Sequence, residues 1–305
     1  MLTLLKKILG LDAFLEEDAL REAEAKAEIL AEAEAQPVIV PKLVKSTHSK
    51  KPQHLEMTRA DMLQKMWGAG FNGPGDANFV RDLAKPLGLD SQKSVLDLSA
   101  GLGGGTRALA DAFKTYVTGF ERDKELAVEG NKISKATGHG RSAPIQHYDP
   151  FNFSYEKRAD AVIARGIAYT CADKDAFLVR VSATLKPRGH LVITDITCEQ
   201  DHLMHPDVQA WIKMERHEAH PVSNLEFSEI LTRHKFDVRV NANISQDYRH
   251  MVLVGLAKLA NYLQDRKLSP QLRDMVKAET EYWERRLKAM EAGVNYTRFY
   301  AIKTN

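Results

Sequence analysis

With 305 residues, 44% apolar and 28% charged, the chain has ordinary globular composition and room for one large domain with an extension, or two small domains. A net charge of +2 argues against a dedicated polyanion binder, and no apolar run approaches the roughly 20 residues that span a bilayer. Two cysteines, Cys171 and Cys198, supply neither a disulfide framework nor metal-ligand spacing, so a cytoplasmic protein without a metal centre is expected.

Residues 1–36 read as helical. Leu2, Leu5, Ile8 and Leu9 recur at helical spacing, with Lys6 and Lys7 beside them, and these lysines also break the start as a secretory signal. Nine acidic residues follow between Asp12 and Glu34, against Arg21 and Lys26. Residues 37–53 then carry three prolines and four lysines with no acid, which marks a linker. The N-terminal extension is therefore set at 1–55. Two roles fit its amphipathic start: self-association, and weak peripheral attachment to the inner face of an anionic membrane.

From residue 56 to 305 the pattern becomes alternating strands and helices. Short β-rich runs stand at 94–99, 116–120, 142–147, 160–164 and 190–196, with crossover-length helical stretches between them. Such alternation predicts a parallel sheet covered by helices on both faces. Runs at 236–245 and 295–303 supply a sixth and a seventh strand. The last is expected to run antiparallel, and two helices broken at KLSP fill the interval before it. Insertions at 57–80, 199–225 and 248–293 are expected to form helical lids.

The first strand runs into VLDLSAGLGGGT, with glycine at 101, 103, 104 and 105 before a helix. Glycine permits close approach of backbone to a ligand, and a helix start offers free N–H groups. No Gly-Lys-Ser/Thr follows, so a phosphate loop is excluded, and the dinucleotide fingerprint lacks its third glycine. Asp97 ends strand one, Glu121 ends strand two and Asp149 follows strand three. An acid at the first place opposes a pyrophosphate but suits a cationic amino-acid group. The second suits ribose hydroxyls, and the third an adenine amino group. The ordered set matches S-adenosylmethionine.

From Met57 onward the chain resembles the class I S-adenosylmethionine-dependent methyltransferases, and among them the small-molecule enzymes acting on phosphoethanolamine and glycine derivatives. MWGAGFNGPG (66–75) is similar to that group's aromatic-glycine segment, LDLSAGLGGG to its cofactor loop, and LKPRGHLVITDI (185–196) to its fifth-strand entry. The resemblance implies a Rossmann-like seven-stranded α/β sheet with helical lid insertions. It implies a cofactor set of Trp67, Gly73, Asp97, Ser99, Ala100, Gly101, Gly103, Glu121, Arg122, Asp149, Pro150 and Arg165. It implies substrate contacts from Phe71, Tyr169, Arg216, His220 and Tyr248.

The chain also departs from that group. Ser99 replaces the loop's usual first glycine. After strand four, Arg165 is kept, but Gly166 stands where the group has Asp and Thr170 where it has His. The usual acid-base pair is therefore missing, and Tyr169, Asp195 and His217 are the expected catalytic candidates, with Cys171 and His220 nearby in sequence. Methyl transfer is an in-line displacement that depends mainly on positioning and water exclusion, and only a protonated or phenolic acceptor needs a base. The expected activity is methylation of a small or amphiphilic acceptor, N-methylation of an amine or phosphobase leading. C- or O-methylation of a quinone or isoprenoid-type lipid, and a cofactor-binding protein with altered chemistry, are the alternatives. No nucleic-acid partner is expected.

Overall fold

The computed structural model describes residues 54–304, so the expectations for residues 1–36 and the linker lie outside the described residues. In chain order the elements are α1 (Arg59–Trp67), α2 (Ala77–Ala84), β1 (Ser94–Asp97), α3 (Gly104–Phe113), β2 (Tyr116–Glu121), α4 (Lys124–Ala136), β3 (Ile145–His147) and β4 (Ala159–Arg165). There follow a short 3-10 turn (Ala168–Thr170), α5 (Lys174–Thr184), β5 (Leu185–Cys198), α6 (Pro206–Met214), α7 (Asn224–Arg233), β6 (Phe236–Asn243), α8 (Ser245–Leu263), α9 (Pro270–Glu291) and β7 (Val294–Lys303).

The seven strands lie in the order β3-β2-β1-β4-β5-β7-β6. All pairings up to β5 are parallel, and β7 runs antiparallel to both β5 and β6. The central strands are apolar on both faces, as a sheet covered by helices on both sides requires: Ala161, Val162, Ile163 and Ala164 of β4 are all buried. Helix starts carry the expected caps. Thr58 and Asp61 form a reciprocal capping box on α1, Asp123 accepts from Glu125 and Leu126 N–H on α4, and Pro270 follows the Ser269 cap of α9.

A second apolar cluster sits apart from the core under the sheet. Met62, Leu63 and Met66 of α1, Val208 and Trp211 of α6, Val252, Leu256 and Leu259 of α8, and Val276 and Trp283 of α9 pack together. These elements come from the three stretches assigned as lids, and they form one helical cap. Leu55 joins the folded body: its N–H donates to Lys267 O at 2.7 Å, and it accepts from Ser269 N–H at 3.1 Å. Strand order reverses between β1 and β4, so the topology puts a ligand site beyond the carboxyl ends of those two strands, under the cap. Among the described residues no helix is long and apolar enough to cross a membrane.

Candidate active site

A cleft opens at that place. One wall is the loop after β1, with Ser99, Ala100 and Gly105, joined by Glu121, Asp123 and Leu126 at the end of β2 and the start of α4. The 70–74 segment closes one side, and the cap supplies the opposite wall.

The glycine loop is organised by its own carboxylate. Asp97 is fully buried; it accepts from Ser99 N–H at 3.2 Å, Thr106 Oγ1 at 3.0 Å and Arg165 Nη2 at 3.2 Å. It does not line the cleft, so the expected direct contact with a ligand is replaced by a role beneath the loop. Ser99 explains its departure from glycine: its hydroxyl accepts the Arg165 N–H at 2.8 Å and holds β4 to the loop. The Arg165 side chain lines the cleft while its Nη2 stays on Asp97 and on Ser99 O at 2.9 Å, and its Nε is buried without a partner among the described residues.

What approaches the glycine backbone most closely is the chain itself. Gly104 N–H donates to Gly70 O at 2.8 Å. Gly101 has φ +54°, and a Cβ there would stand 1.9 Å from Asn72 Oδ1. A side chain there would meet a left-handed backbone that favours glycine and would have to displace the Asn72 side chain. The 66–75 segment therefore packs on the loop, and Phe71, Asn72, Gly73 and Pro74 line the cleft. Trp67 is placed behind the wall, edge-on to Trp283 with ring centroids 4.8 Å apart. Gly101 and Gly103 shape the loop and do not line the cleft.

Glu121 does face the cleft. Its carboxylate accepts from Gly101 N–H at 2.7 Å and from Asp123 N–H at 2.8 Å, and burial pushes it above the usual carboxylate range. Arg122 lines the cleft and donates to Thr170 Oγ1 at 2.8 Å, so the residue at the histidine position of the resembled group is a tether for an arginine. Gly166, at the aspartate position, has φ +61° and also lines the cleft; a left-handed residue there favours glycine over aspartate. Asp149 and Pro150 fall outside. Asp149 is exposed, and its Oδ1 accepts Phe151 N–H at 2.9 Å in a local turn.

The expected catalytic candidates separate sharply. Asp195 is buried and accepts N–H bonds from Ile167 at 3.1 Å, Ala168 at 2.6 Å, Tyr169 at 3.0 Å and Ile196 at 2.8 Å. It positions the turn that carries Tyr169 and does not reach the cleft. Tyr169 lines the cleft, but its hydroxyl is committed to Glu215 and Arg286, and burial raises it well above the phenol range. Cys171 is buried, with its thiol pushed up to about 12 by burial, which removes it as a nucleophile. His220 lies outside the lining; its N–H donates to Tyr169 O at 2.7 Å. His217 lines the cleft, and burial followed by the charge of Arg122 lowers it from the ordinary imidazole range.

The cap wall contains residues that sequence reasoning missed. Glu279, Tyr282, Trp283 and Arg286 stand at helical spacing on one face of α9, and that face turns inward. Arg286 donates to Tyr248 OH at 2.9 Å, to Tyr169 OH at 3.0 Å and to Glu215. Burial works against the Glu215 carboxylate, but Arg286 outweighs it and holds the group below the usual range. Arg216 donates to Glu279 Oε2 at 2.6 Å, shares that oxygen with Arg59, and stacks on the Tyr282 ring at 4.0 Å. The sequence signal was a tryptophan flanked by an acid and an arginine on one helical stripe.

Similarity to known proteins agrees with this geometry. The methyltransferase domain family matches residues 76–242, more than half of the chain. A phosphoethanolamine N-methyltransferase of Triticum aestivum is 25% identical over 160 residues, 52% of this chain and 32% of the relative. The chain thus spans about a third of the length of the first curated relatives it matches. The fold is shared with Haemonchus contortus phosphoethanolamine N-methyltransferase 2, solved with phosphomonomethylethanolamine and S-adenosylhomocysteine. Its TM-score is 0.70 at 18% identity, covering 80% of this chain and 57% of that one. A putative sarcosine dimethylglycine methyltransferase from Galdieria sulphuraria gives 0.67 at 14% identity, covering 81% and 98%. The chain with the Asp97 loop, the Glu121 wall and the helical cap belongs to the methyltransferase domain family.

Proposed function

We propose that the chain transfers the methyl group of S-adenosylmethionine to the nitrogen of a small amine-bearing acceptor of the phosphobase type. The observation that carries this reading is one cleft with two different walls: backbone, Glu121 and Arg165 on one side, tyrosines and arginines on the other. The residues present fit the cofactor. Glu121 accepts two N–H bonds, and a carboxylate has about four lone-pair positions, which leaves capacity for ribose hydroxyls. The unpartnered Arg165 Nε suits the methionyl carboxylate. Ser99, Ala100, Gly73 and Arg122 complete this side.

When bound, the cofactor supplies a methyl group already activated on a sulfonium. The chain's own residues must hold the acceptor in line, remove its ammonium proton and exclude water. His217 lines the cleft and is the group we assign to accept that proton, with Phe71, Tyr169, Arg216 and Tyr248 lining the same cleft. The 70–74 segment covers the loop against solvent. Residues 1–36 are proposed as a self-association or reversible membrane-surface segment; flotation with anionic vesicles, with and without those residues, separates the two.

Incubation of the full chain with methyl-labelled S-adenosylmethionine and phosphoethanolamine, its monomethyl derivative, sarcosine or a polar-lipid and quinone extract tests the reading. Label is expected in a phosphobase. Label confined to the lipid extract, or absent from every acceptor, would overturn it.

A further inference from the structure

On the cap wall, one carboxylate is surrounded by more donors than it has places for. Glu215 Oε1 accepts from Trp211 Nε1 and from Nε (3.1 Å) and Nη2 of Arg286, while Oε2 accepts the Tyr169 and Tyr282 hydroxyls at 2.9 Å each. A carboxylate offers about four lone-pair positions, and five donors converge on it. Beside them stands a sixth. The Tyr248 hydroxyl accepts from Arg286 Nη1 at 2.9 Å, and among the described residues nothing accepts its own proton. Tyr248 is buried and lines the cleft together with Glu215, Tyr169, Tyr282 and Arg286.

The donors and the carboxylate are mounted differently. Tyr169 sits on the turn that Asp195 fixes through backbone N–H bonds, and Tyr248, Tyr282 and Arg286 sit on α8 and α9. Glu215 sits just past the end of α6, in an extended conformation, at the start of a coil. The far end of that coil is tied down, because Lys174 Nζ donates to His220 O and Cys198 N–H donates to Val222 O at 2.9 Å. Between the two, His217 and Glu218 are exposed, while Arg216 stays tied to Glu279 and to the Tyr282 ring. A turn of the Glu215 side chain between the end of α6 and Arg216 would free the donors with both flanking helices folded.

We infer that Glu215 is an intramolecular latch: its carboxylate occupies a site for a tetrahedral oxyanion of the acceptor and yields the Tyr169, Tyr282 and Arg286 donors when that oxyanion enters. A phosphoryl group has three terminal oxygens and can answer the five donors of the cleft-lining residues Tyr169, Tyr248, Tyr282 and Arg286, whereas a carboxylate ligand would gain nothing over Glu215. The latch also accounts for a buried arginine at an acceptor wall, since Arg286 keeps an ion-pair partner whether or not a ligand is bound. It selects against acceptors without an oxyanion, which cannot displace Glu215. This assignment rests on the reading of the cleft as a phosphobase site, but its test needs no turnover.

Calorimetry on the full chain with S-adenosylhomocysteine present, titrating inorganic phosphate and, as a carboxylate control, acetate, reads the latch directly. Glu215→Gln removes the competing charge at constant size. Where the latched form dominates, its removal should tighten phosphate binding at least about tenfold, with a smaller effect on acetate. Equal or weaker phosphate binding by Glu215→Gln would overturn the inference. If that variant fails to fold, the wild-type chain decides. Saturating phosphate should speed amide exchange across 215–219 and leave 220–223 unchanged; exchange across 215–219 that stays the same or slows contradicts a latch. A phosphate response with no methylation of any phosphobase would fault the activity reading alone, and methylation without the response would fault the latch alone.

Discussion

On the loop wall of the cleft, most of the chemistry comes from one stretch of chain, Asp97 to Asp123, joined by Arg165, and much of it is backbone; on the cap wall, partners such as Tyr169 and Arg286 are 117 residues apart and meet only through side chains. The loop wall is held by the sheet: Asp97 and Glu121 end adjacent parallel strands, and their carboxylates fasten the glycine loop from beneath and from the side. The cap wall is held by a buried ion pair and its tyrosines, packed among helices from three insertions. The first construction tolerates little change in backbone. The second tolerates backbone change but depends on each charge having its partner, so the two walls should fail in different ways.

The largest effect is expected from Glu215→Leu, which strands the Arg286 guanidinium, buried on α9. Removing one partner of a buried pair costs about 3–5 kcal/mol, so thermal unfolding should move down sharply. A double change, Glu215→Leu with Arg286→Met, should recover much of that loss. If the double variant is as unstable as the single, the cap wall is not organised by this pair.

His217→Ala should leave the fold and S-adenosylhomocysteine affinity intact and lower kcat by about 10²-fold, the lower range for loss of a general base. The sign of the pH dependence follows from its lowered pKa. The neutral imidazole is the active form, so the wild-type rate should hold through neutral pH and fall on the acid side, below the ordinary imidazole range. In the variant that acid limb should disappear from a kcat against pH profile. A limb that persists unchanged assigns the proton to another group.

On the other wall, Gly101→Ala should act through backbone. A side chain at φ +54° costs about 1–2 kcal/mol, and its Cβ would displace Asn72. Cofactor affinity should drop while exchange across 211–220 is unaffected. If exchange there changes equally, the two walls are not independent.

The same contrast explains what was legible in the sequence. Strand runs, the reversed last strand and the glycine loop follow from periodicity and from glycine's conformational range, both local properties. Glu121, Arg165 and Ser99 could be nominated from sequence, and they line the cleft, because strand ends and the following loop are fixed by that local pattern. For Asp97, sequence does not show that Thr106 and Arg165 fold back onto its carboxylate. Asp149 lies outside the cleft lining, past the end of β3 at His147, in a turn closed by the Phe151 N–H bond. Glu215, Tyr282 and Arg286 were not found at all. A charged stripe on a helix reads as solvent-facing until a second helix is known to cover it, and only the packing of α6 against α9 does so.

The central claim is that the loop wall, with Glu121 facing the cleft, holds the methyl donor. Calorimetric titration of S-adenosylhomocysteine into the wild-type chain and Glu121→Ala tests it most directly, with melting curves to confirm that both are folded. Hydrogen bonds to a charged group contribute about 1.5–3 kcal/mol each, so loss of the carboxylate should weaken binding at least about tenfold. Equal affinity in the two folded proteins would contradict the account and place the donor elsewhere in the cleft.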